Sequence, residues 1–318
     1  MRVRPTNLLI LATLPAFGLA LAPFVPVRHW LVDLPACFPV QAGAFLLLSA
    51  LLLLLGRRYR WALACLAGTL VAALAVVPGW FAARRAFRQE GHPLRVLSLN
   101  LLRDNEVSAP QALAVVRQHA PAVVFCAEVT TGWLTALRAG LPDYPHRIDR
   151  ADEGYFGVAL FSKLPLRDAA VIPLAFDWAP TIRAVVVTPI GEVGVLGVHP
   201  PRPGMGNRCE QRDAALAAIP GALAPLPELR VVLGDCNATP WNGAFRELLA
   251  TAGLVDAGGE TFRPTWTTDW PWWLRVPIDH VLVGAGIGVA AVSAEPLFGS
   301  DHAPLFADLR LPGQAPGK

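Results

Sequence analysis

A succession of apolar runs in the C-terminal two-thirds of this 318-residue chain each stops at a side chain able to do chemistry. Leu97-Ser-Leu-Asn100 ends on an amide, Phe125-Cys-Ala-Glu128 on a carboxylate and Val198-His199 on an imidazole. Leu233-Gly-Asp235-Cys-Asn237 ends on a carboxylate and an amide two residues apart. Pro277-Ile-Asp279-His280 and Gly299-Ser-Asp301-His302 add two Asp-His pairs. Any one of these alone is an ordinary cap or turn former. The whole series is hard to explain as turns, because ligand sites in layered α/β folds gather where strands end and loops converge. A hard cation takes oxygen ligands, and phosphoryl transfer needs a cation, donors around the phosphate and a base for water. The series contains all three.

The elements that must position these residues are short strands alternating with amphipathic helices. Strands are expected at Leu94–Leu99, Ala122–Cys126 and Tyr155–Phe161. Ile182–Thr188 and Gly194–Val198 form a hairpin turned at Pro189–Gly191, and further strands follow at Arg230–Leu233, Ile278–Val283, Ile287–Ser293 and Ala303–Leu309. Ser108-Ala-Pro-Gln111 reads as a capping box opening a helix to about His119. Other helices cover Asn207–Ile219 and Ala244–Ala252, the latter capped by Thr239 and Asn242. The pattern describes one α/β domain without internal repeats.

The motifs SLN at Ser98–Asn100, AEV at Ala127–Val129, GVALFSKLPL at Gly157–Leu166 and GVHP at Gly197–Pro200 recur with GDCNATPW at Gly234–Trp241, IDHVLV at Ile278–Val283 and SDHAPL at Ser300–Leu305. In this order they resemble the endonuclease/exonuclease/phosphatase superfamily of DNase I-like nucleases, inositol-phosphate phosphatases and sphingomyelinases. The resemblance implies an α/β fold, a four-layer sandwich with two central sheets. It implies Glu128 as principal ligand of Mg²⁺ (or Mn²⁺), with Asn100 near metal and phosphate and Asp301 assisting at the metal. Asp235 would orient or deprotonate the attacking water, and Asn237 would stabilise charge on the phosphate. His199 would donate to a phosphate oxygen, and His302, oriented by Asp279, would contact the phosphate. Whether Asp235 or His302 is the base stays open. The family often has Gln where Ala127 stands and Phe where Cys236 stands, which reads as altered packing. No second acid follows Asn100 closely, so a second tight metal site is not expected.

The first third differs in texture. The chain is 54% hydrophobic and 16% charged, with mean hydropathy +0.44, too apolar for one ordinary soluble domain. Leu8–Val25, Ala36–Leu55 and Trp61–Phe81 lack charged side chains and are near the length needed to cross a bilayer. Arg2 and Arg4 precede the first span and Arg57, Arg58 and Arg60 fill the second connection, whereas only Arg28 lies in the first. The positive-inside rule then puts the C-terminal domain outside the cytoplasm, although Arg84, Arg85 and Arg88 oppose this. The expected divisions are a transmembrane region at 1–82, a basic linker at 83–93, a catalytic domain at 94–310 and a tail at 311–318.

From Glu90 onward 18 Lys+Arg stand against 23 Asp+Glu, which argues against tight nucleic-acid binding. Five cysteines without a CxxC pair indicate neither a zinc knuckle nor a disulfide framework. Thr265-Trp-Thr-Thr-Asp-Trp270-Pro-Trp272-Trp273 reads either as core packing or as a wall facing substrate or membrane. Short spans plus an outward domain also resemble the teicoplanin-resistance-associated membrane phosphatases. That resemblance implies a phosphorylated lipid as substrate, with a nuclease or phospholipid phosphodiesterase and a non-catalytic headgroup-binding module as the alternatives.

Overall fold

Alternation of side chains along the strands decides how the layers stack. The computed structural model describes residues 5–260, 262–294 and 298–313. One sheet contains β1 (His92–Asn100), β2 (Val123–Ala127), β3 (His146–Arg150) and β4 (Val158–Ser162). The other contains β5 (Leu166–Pro173), β6 (Pro180–Thr188), β7 (Gly191–Val198), β8 (Arg230–Asp235), β9 (Val255–Asp256) and β10 (Asp279–Val283). The first is completed by β11 (Gly288–Ala294) and β12 (Leu305–Leu311). Their spatial orders are β11-β12-β1-β2-β4-β3 and β5-β6-β7-β8-β10-β9.

Val96, Phe125 and Leu160 point inward and meet Ile182, Val195, Leu233 and Val281 from the facing sheet, forming the inter-sheet core. The opposite face of the first sheet, with Leu97, Leu99, Cys126 and Phe161, is covered by α5 (Ala109–His119) and α6 (Thr131–Gly140). The opposite face of the second, with Leu196, Val198 and Val232, is covered by α7 (Arg208–Leu223) and α8 (Gly243–Ala252). The result is the expected sandwich of four layers. Gly234 sits at φ +145°, and a Cβ there would lie 1.9 Å from the Val198 carbonyl oxygen, so the close β7–β8 crossing requires glycine.

The N-terminal region is a helical bundle of α1 (Pro5–Leu21), α2 (Trp30–Asp33), α3 (Pro39–Leu55) and α4 (Tyr59–Ala86). Residues 5–24 and 59–86 are each long and apolar enough to cross a membrane. The helical stretch 30–37 and α3, bent by 65°, would make a third span if taken together. Small residues such as Ala16, Ala20, Ala42, Ala62 and Ala72 fill the inner seam, while Leu11, Leu48, Leu55, Leu63 and Leu70 are exposed. Small-residue seams let apolar helices approach closely, and leucines outside are what lipid would solvate.

Several sequence expectations change. Ser108 caps nothing: its hydroxyl donates to Asn105 Oδ1 at 2.7 Å, and α5 starts without a side-chain cap. Asn242 does not cap α8 either, because its Oδ1 accepts from Thr239 N–H and Oγ1 at 2.7 and 2.8 Å. The helix from Asn207 runs through Pro220 to Leu223. Strands β3 and β5 were not expected because both are sheet edges with polar residues, and β5 is broken by an irregularity at Arg167–Ala170. Short α6 was not expected although it is as amphipathic as α8 and is capped by Thr130, whose hydroxyl accepts from Trp133 N–H at 3.2 Å, and β9 has only two residues. Within the expected 83–93 linker, α4 continues to Ala86, Phe87 bridges to Val289, and Arg88 N–H donates to Val289 O at 2.8 Å.

Candidate active site

Strand register brings the distant motifs together. Asn100 lies opposite Ala127 in the parallel β1–β2 pair, so Asn100 and Glu128 leave the sheet side by side. Val198 lies opposite Gly234 in the parallel β7–β8 pair, which puts His199 next to Asp235. Asp279 lies directly opposite Asp235 in the antiparallel β8–β10 pair. His302 follows Ser300, whose hydroxyl donates to the Asn100 carbonyl at 2.8 Å and accepts from His302 N–H at 3.1 Å. Glu128 and Asn237 both adopt left-handed backbone, φ +58° and +49°, which turns the chain sharply as each strand ends.

Asn100 Nδ2 is the hub. It donates to Glu128 Oε1 at 3.3 Å and Asp235 Oδ2 at 3.1 Å, and lies 3.4 Å from His302 Nε2. Asp235 Oδ1 accepts from Asn237 N–H at 2.8 Å, and its Oδ2 lies 3.6 Å from His199 Nε2 and 3.7 Å from His302 Nε2. Asp279 Oδ2 lies 2.8 Å from His302 Nδ1, fixing the ring, and Asp279 N–H donates to Thr265 Oγ1 at 3.2 Å. Asn237 Nδ2 donates to Pro200 O at 3.0 Å. Arg212 Nη1 holds the Asn237 carbonyl at 3.0 Å.

Seven of the expected residues therefore converge: Asn100, Glu128, His199, Asp235, Asn237, Asp279 and His302. Asp301 stands apart, its Oδ2 accepting from Trp266 Nε1 at 3.0 Å, and no described bond joins it to Glu128, Asn100 or Asp235. His280, next to Asp279, faces the opposite way and is bound to Asp256 and Ala238 O, both at 2.9 Å. Ser300, Thr265 and Arg212 are the supporting residues whose roles the sequence did not indicate. Ser300 was visible in the SDH motif; the link from Arg212 to Asn237 had no sequence signal.

The electrostatics set two imidazoles against the carboxylates around them. Burial disfavours the charged imidazole of His302, but Asp279 and Asp235 outweigh it and hold the group up at about 10. His199 is raised for the same reasons, burial being overcome by the hydrogen bond and charge of Asp235. Burial raises the Asp235 carboxyl, yet His302, His199 and the Asn237 N–H together keep it below its ordinary value. Among the described residues Asp235, Asp279 and His302 bring ligand atoms within 4.8 Å of one another. Of these, His302 Nδ1 and Asp279 Oδ2 are already bonded to each other at 2.8 Å. Glu128 is half-buried and offers the carboxylate oxygens a hard cation selects; the Asn100 amide nitrogen faces it, while Asn100 Oδ1 accepts from Leu102 N–H at 3.2 Å. A buried Asp279 Oδ1 has no partner, leaving one more oxygen free in the site.

Paired sheets with a carboxylate, amide and imidazole cluster at their strand ends define a phosphoester hydrolase of the DNase I-like class. A profile of the Endonuclease/Exonuclease/phosphatase family matches residues 97–302, and the chain belongs to that family of metal-dependent phosphoester hydrolases. No curated protein matches it in sequence. Among solved structures it is similar to an endonuclease/exonuclease/phosphatase from Bacteroides vulgatus, with 22% identity and TM-score 0.58 over 69% of this chain and 99% of that one. D. rerio TDP2 complexed with a single-strand DNA product has 17% identity and TM-score 0.59, covering 69% of this chain and 99% of that one. Sphingomyelinase C from Streptomyces griseocarneus has 18% identity and TM-score 0.53, covering 68% and 99%. At these identities the likeness speaks for the fold.

Proposed function

We propose that this protein is a membrane-anchored, Mg²⁺-dependent phosphohydrolase acting on a lipid-linked phosphate or pyrophosphate at the outer surface of the membrane. The observation that carries this reading is the attachment of the carboxylate–imidazole cluster's domain, without a slack linker, to helices whose outer faces are leucine. A domain so held meets lipid-borne substrates at high effective concentration. The connection between α1 and α3 is docked on the domain through Asp33 and Arg212, 2.7 Å apart, so the two share one side of the bundle. That fits an extracytoplasmic domain, because this connection is the poorest in Arg. The net-acidic domain speaks against a nuclease, and nuclease and phospholipid phosphodiesterase activities, suggested by the DNA-bound TDP2 and the sphingomyelinase it is similar to, are the competing outcomes.

Glu128 and Asn100 would hold the cation, which supplies charge neutralisation and polarisation of a phosphoryl oxygen when bound. Asp235, held ionised, accepts a proton from the attacking water. His302 and His199, both driven toward the cationic form, donate to phosphate oxygens and to the leaving group. That charge pattern supports Asp235 as the base and His302 as a donor. Asn237 Nδ2 gives one hydrogen to Pro200 O and one to Asp235 Oδ2, and turns the second toward the developing negative charge as Asp235 takes the proton of the water.

The test is a panel on the full-length protein with Mg²⁺: an isoprenyl pyrophosphate, plasmid DNA and sphingomyelin. Phosphate release from the first, reduced to background by Glu128→Ala, is the expected result. Nicking or phosphocholine release would reassign the substrate, and binding without product would make the domain a headgroup sensor. Undiminished turnover by Glu128→Ala would overturn the assignment of the metal site.

A further inference from the structure

A cavity of about 430 Å³ lies between the C-terminal part of α4 and the domain, bounded by Leu74, Pro78, Trp241, Leu249, Leu254 and Phe262. Its depth in a bilayer follows from α4. Trp61 and Trp80 are separated by about 28 Å of helix at about 1.5 Å per residue, close to the roughly 30 Å hydrocarbon thickness, and indoles favour the two interfaces. Leu74 to Trp80 then lie in the outer leaflet near its headgroups, and Arg84 stacks over Trp80 at 5.1 Å, just beyond.

The cavity wall also carries a cation. Arg246 is half-buried, and its hydrogen bond to the Pro23 carbonyl leaves the charge unbalanced, since no carboxylate among the described residues pairs with it. Burial alone lowers its pKa, the sign of a guanidinium without an anion. An apolar volume of this size, at acyl-chain depth and next to an uncompensated cation, complements an amphiphile with a negative head.

We propose that this cavity is a resident-lipid site: it takes an acyl chain of an anionic phospholipid from the outer leaflet, with the phosphate on Arg246. The cavity reaches the cluster only at Asp279, with Asp256 and His280 beside it, and Asn100, Glu128, His199, Asp235 and His302 do not line it; the proposal rests on the membrane-spanning reading above. Bound lipid would fill the space between α4 and the α8–β9 edge and so fasten the domain to its anchor.

The experiment uses the full-length protein, purified from membranes and incubated with equal phosphatidylglycerol and phosphatidylcholine, with retained lipid read by native mass spectrometry. Wild type is expected to keep one phosphatidylglycerol. Arg246→Gln is expected to retain it about tenfold less, the loss of one charge-assisted bond, whereas Arg246→Lys keeps it. Leu249→Trp, which fills the cavity, is expected to exclude it, with turnover of a soluble phosphodiester reporting that each variant is folded. Equal retention of both lipids, no retained lipid, or no effect of Arg246→Gln would overturn the proposal. So would displacement of the lipid by an isoprenyl phosphate, which would make the cavity a substrate-chain site. Alkaline carbonate extraction of the membranes separates the two levels: release of the chain defeats the membrane reading, whereas an embedded chain that retains no lipid defeats only this site.

Discussion

Replacing Asp33 is expected to damage catalysis from the far end of the chain. Arg212 is fully buried and binds Asp33 Oδ1 and Asp213 Oδ1, each at 2.7 Å, as well as the Asn237 carbonyl at 3.0 Å. Asn242 Nδ2 donates to the same Asp33 oxygen at 2.9 Å. In Asp33→Asn an acceptor remains, so the loss is that of one charge-assisted hydrogen bond, about 1.5–3 kcal/mol. Asp33→Ala strips both donors of their partner in a buried setting and is expected to cost about 3–5 kcal/mol. Arg212 then follows its remaining partner, Asp213, and its hold on the Asn237 carbonyl weakens. If half of the cost of Asp33→Asn reaches the transition state, kcat falls about tenfold or less, with KM little changed. The assays are steady-state turnover of a chromogenic phosphodiester and the protease sensitivity of residues 22–38. The reasoning is refuted if Asp33→Ala leaves kcat, KM and protease resistance as in wild type.

Further outcomes follow from the same geometry. His302 gains its proton on folding, with a pKa raised from about 6.5 to about 10, so the metal-free protein has that stabilisation in full below about pH 6.5 and loses it as pH rises through 10. The effect is on the order of 5 kcal/mol, and Asp279→Asn should flatten this slope in thermal melts of chelator-treated protein; an unchanged slope would argue against the Asp279–His302 coupling. Gly234→Ala forces a Cβ into the Val198 carbonyl and is expected to abolish accumulation of folded protein, measured by yield and protease resistance. Trp270, Trp272 and Trp273 are exposed, and Gln41 at the start of α3 donates to the neighbouring Arg275 carbonyl at 3.0 Å. Alanine at all three tryptophans should raise KM for a bilayer-borne substrate and spare a soluble one, in parallel kinetic assays.

What was legible in the sequence was whatever repeats a physical rule. Buried strands with apolar runs, such as Val123–Ala127 and Arg230–Asp235, announced themselves, as did the polar residue that stopped each. Edge strands did not, because His146–Arg150 has solvent on one side and no apolar pattern to read. Capping motifs misled at Ser108 and Asn242, where neighbours three residues away, Asn105 and Thr239, engage the side chains instead. The residues that converge were the ones the family resemblance implied, except Asp301, which bonds Trp266; His280, beside Asp279, bonds Asp256. Asp33 is the only acid before residue 90, a signal that something must neutralise it. Sequence could not say that the partner is Arg212, 179 residues further on.

The passage of α4 into the Phe87–Val289 bridge has a consequence for how such an enzyme would find its targets. A domain on a leash sweeps a hemisphere and can sample the solution above it. One bolted to the end of a helix has a single working height and a single tilt, and its search is planar. If the helices span a bilayer as proposed, whatever it hydrolyses would have to drift beneath it there, presenting a phosphate at the level of Glu128 and His302. Inserting a few glycines after Ala86 would therefore alter the range of molecules within reach while leaving every catalytic atom in position.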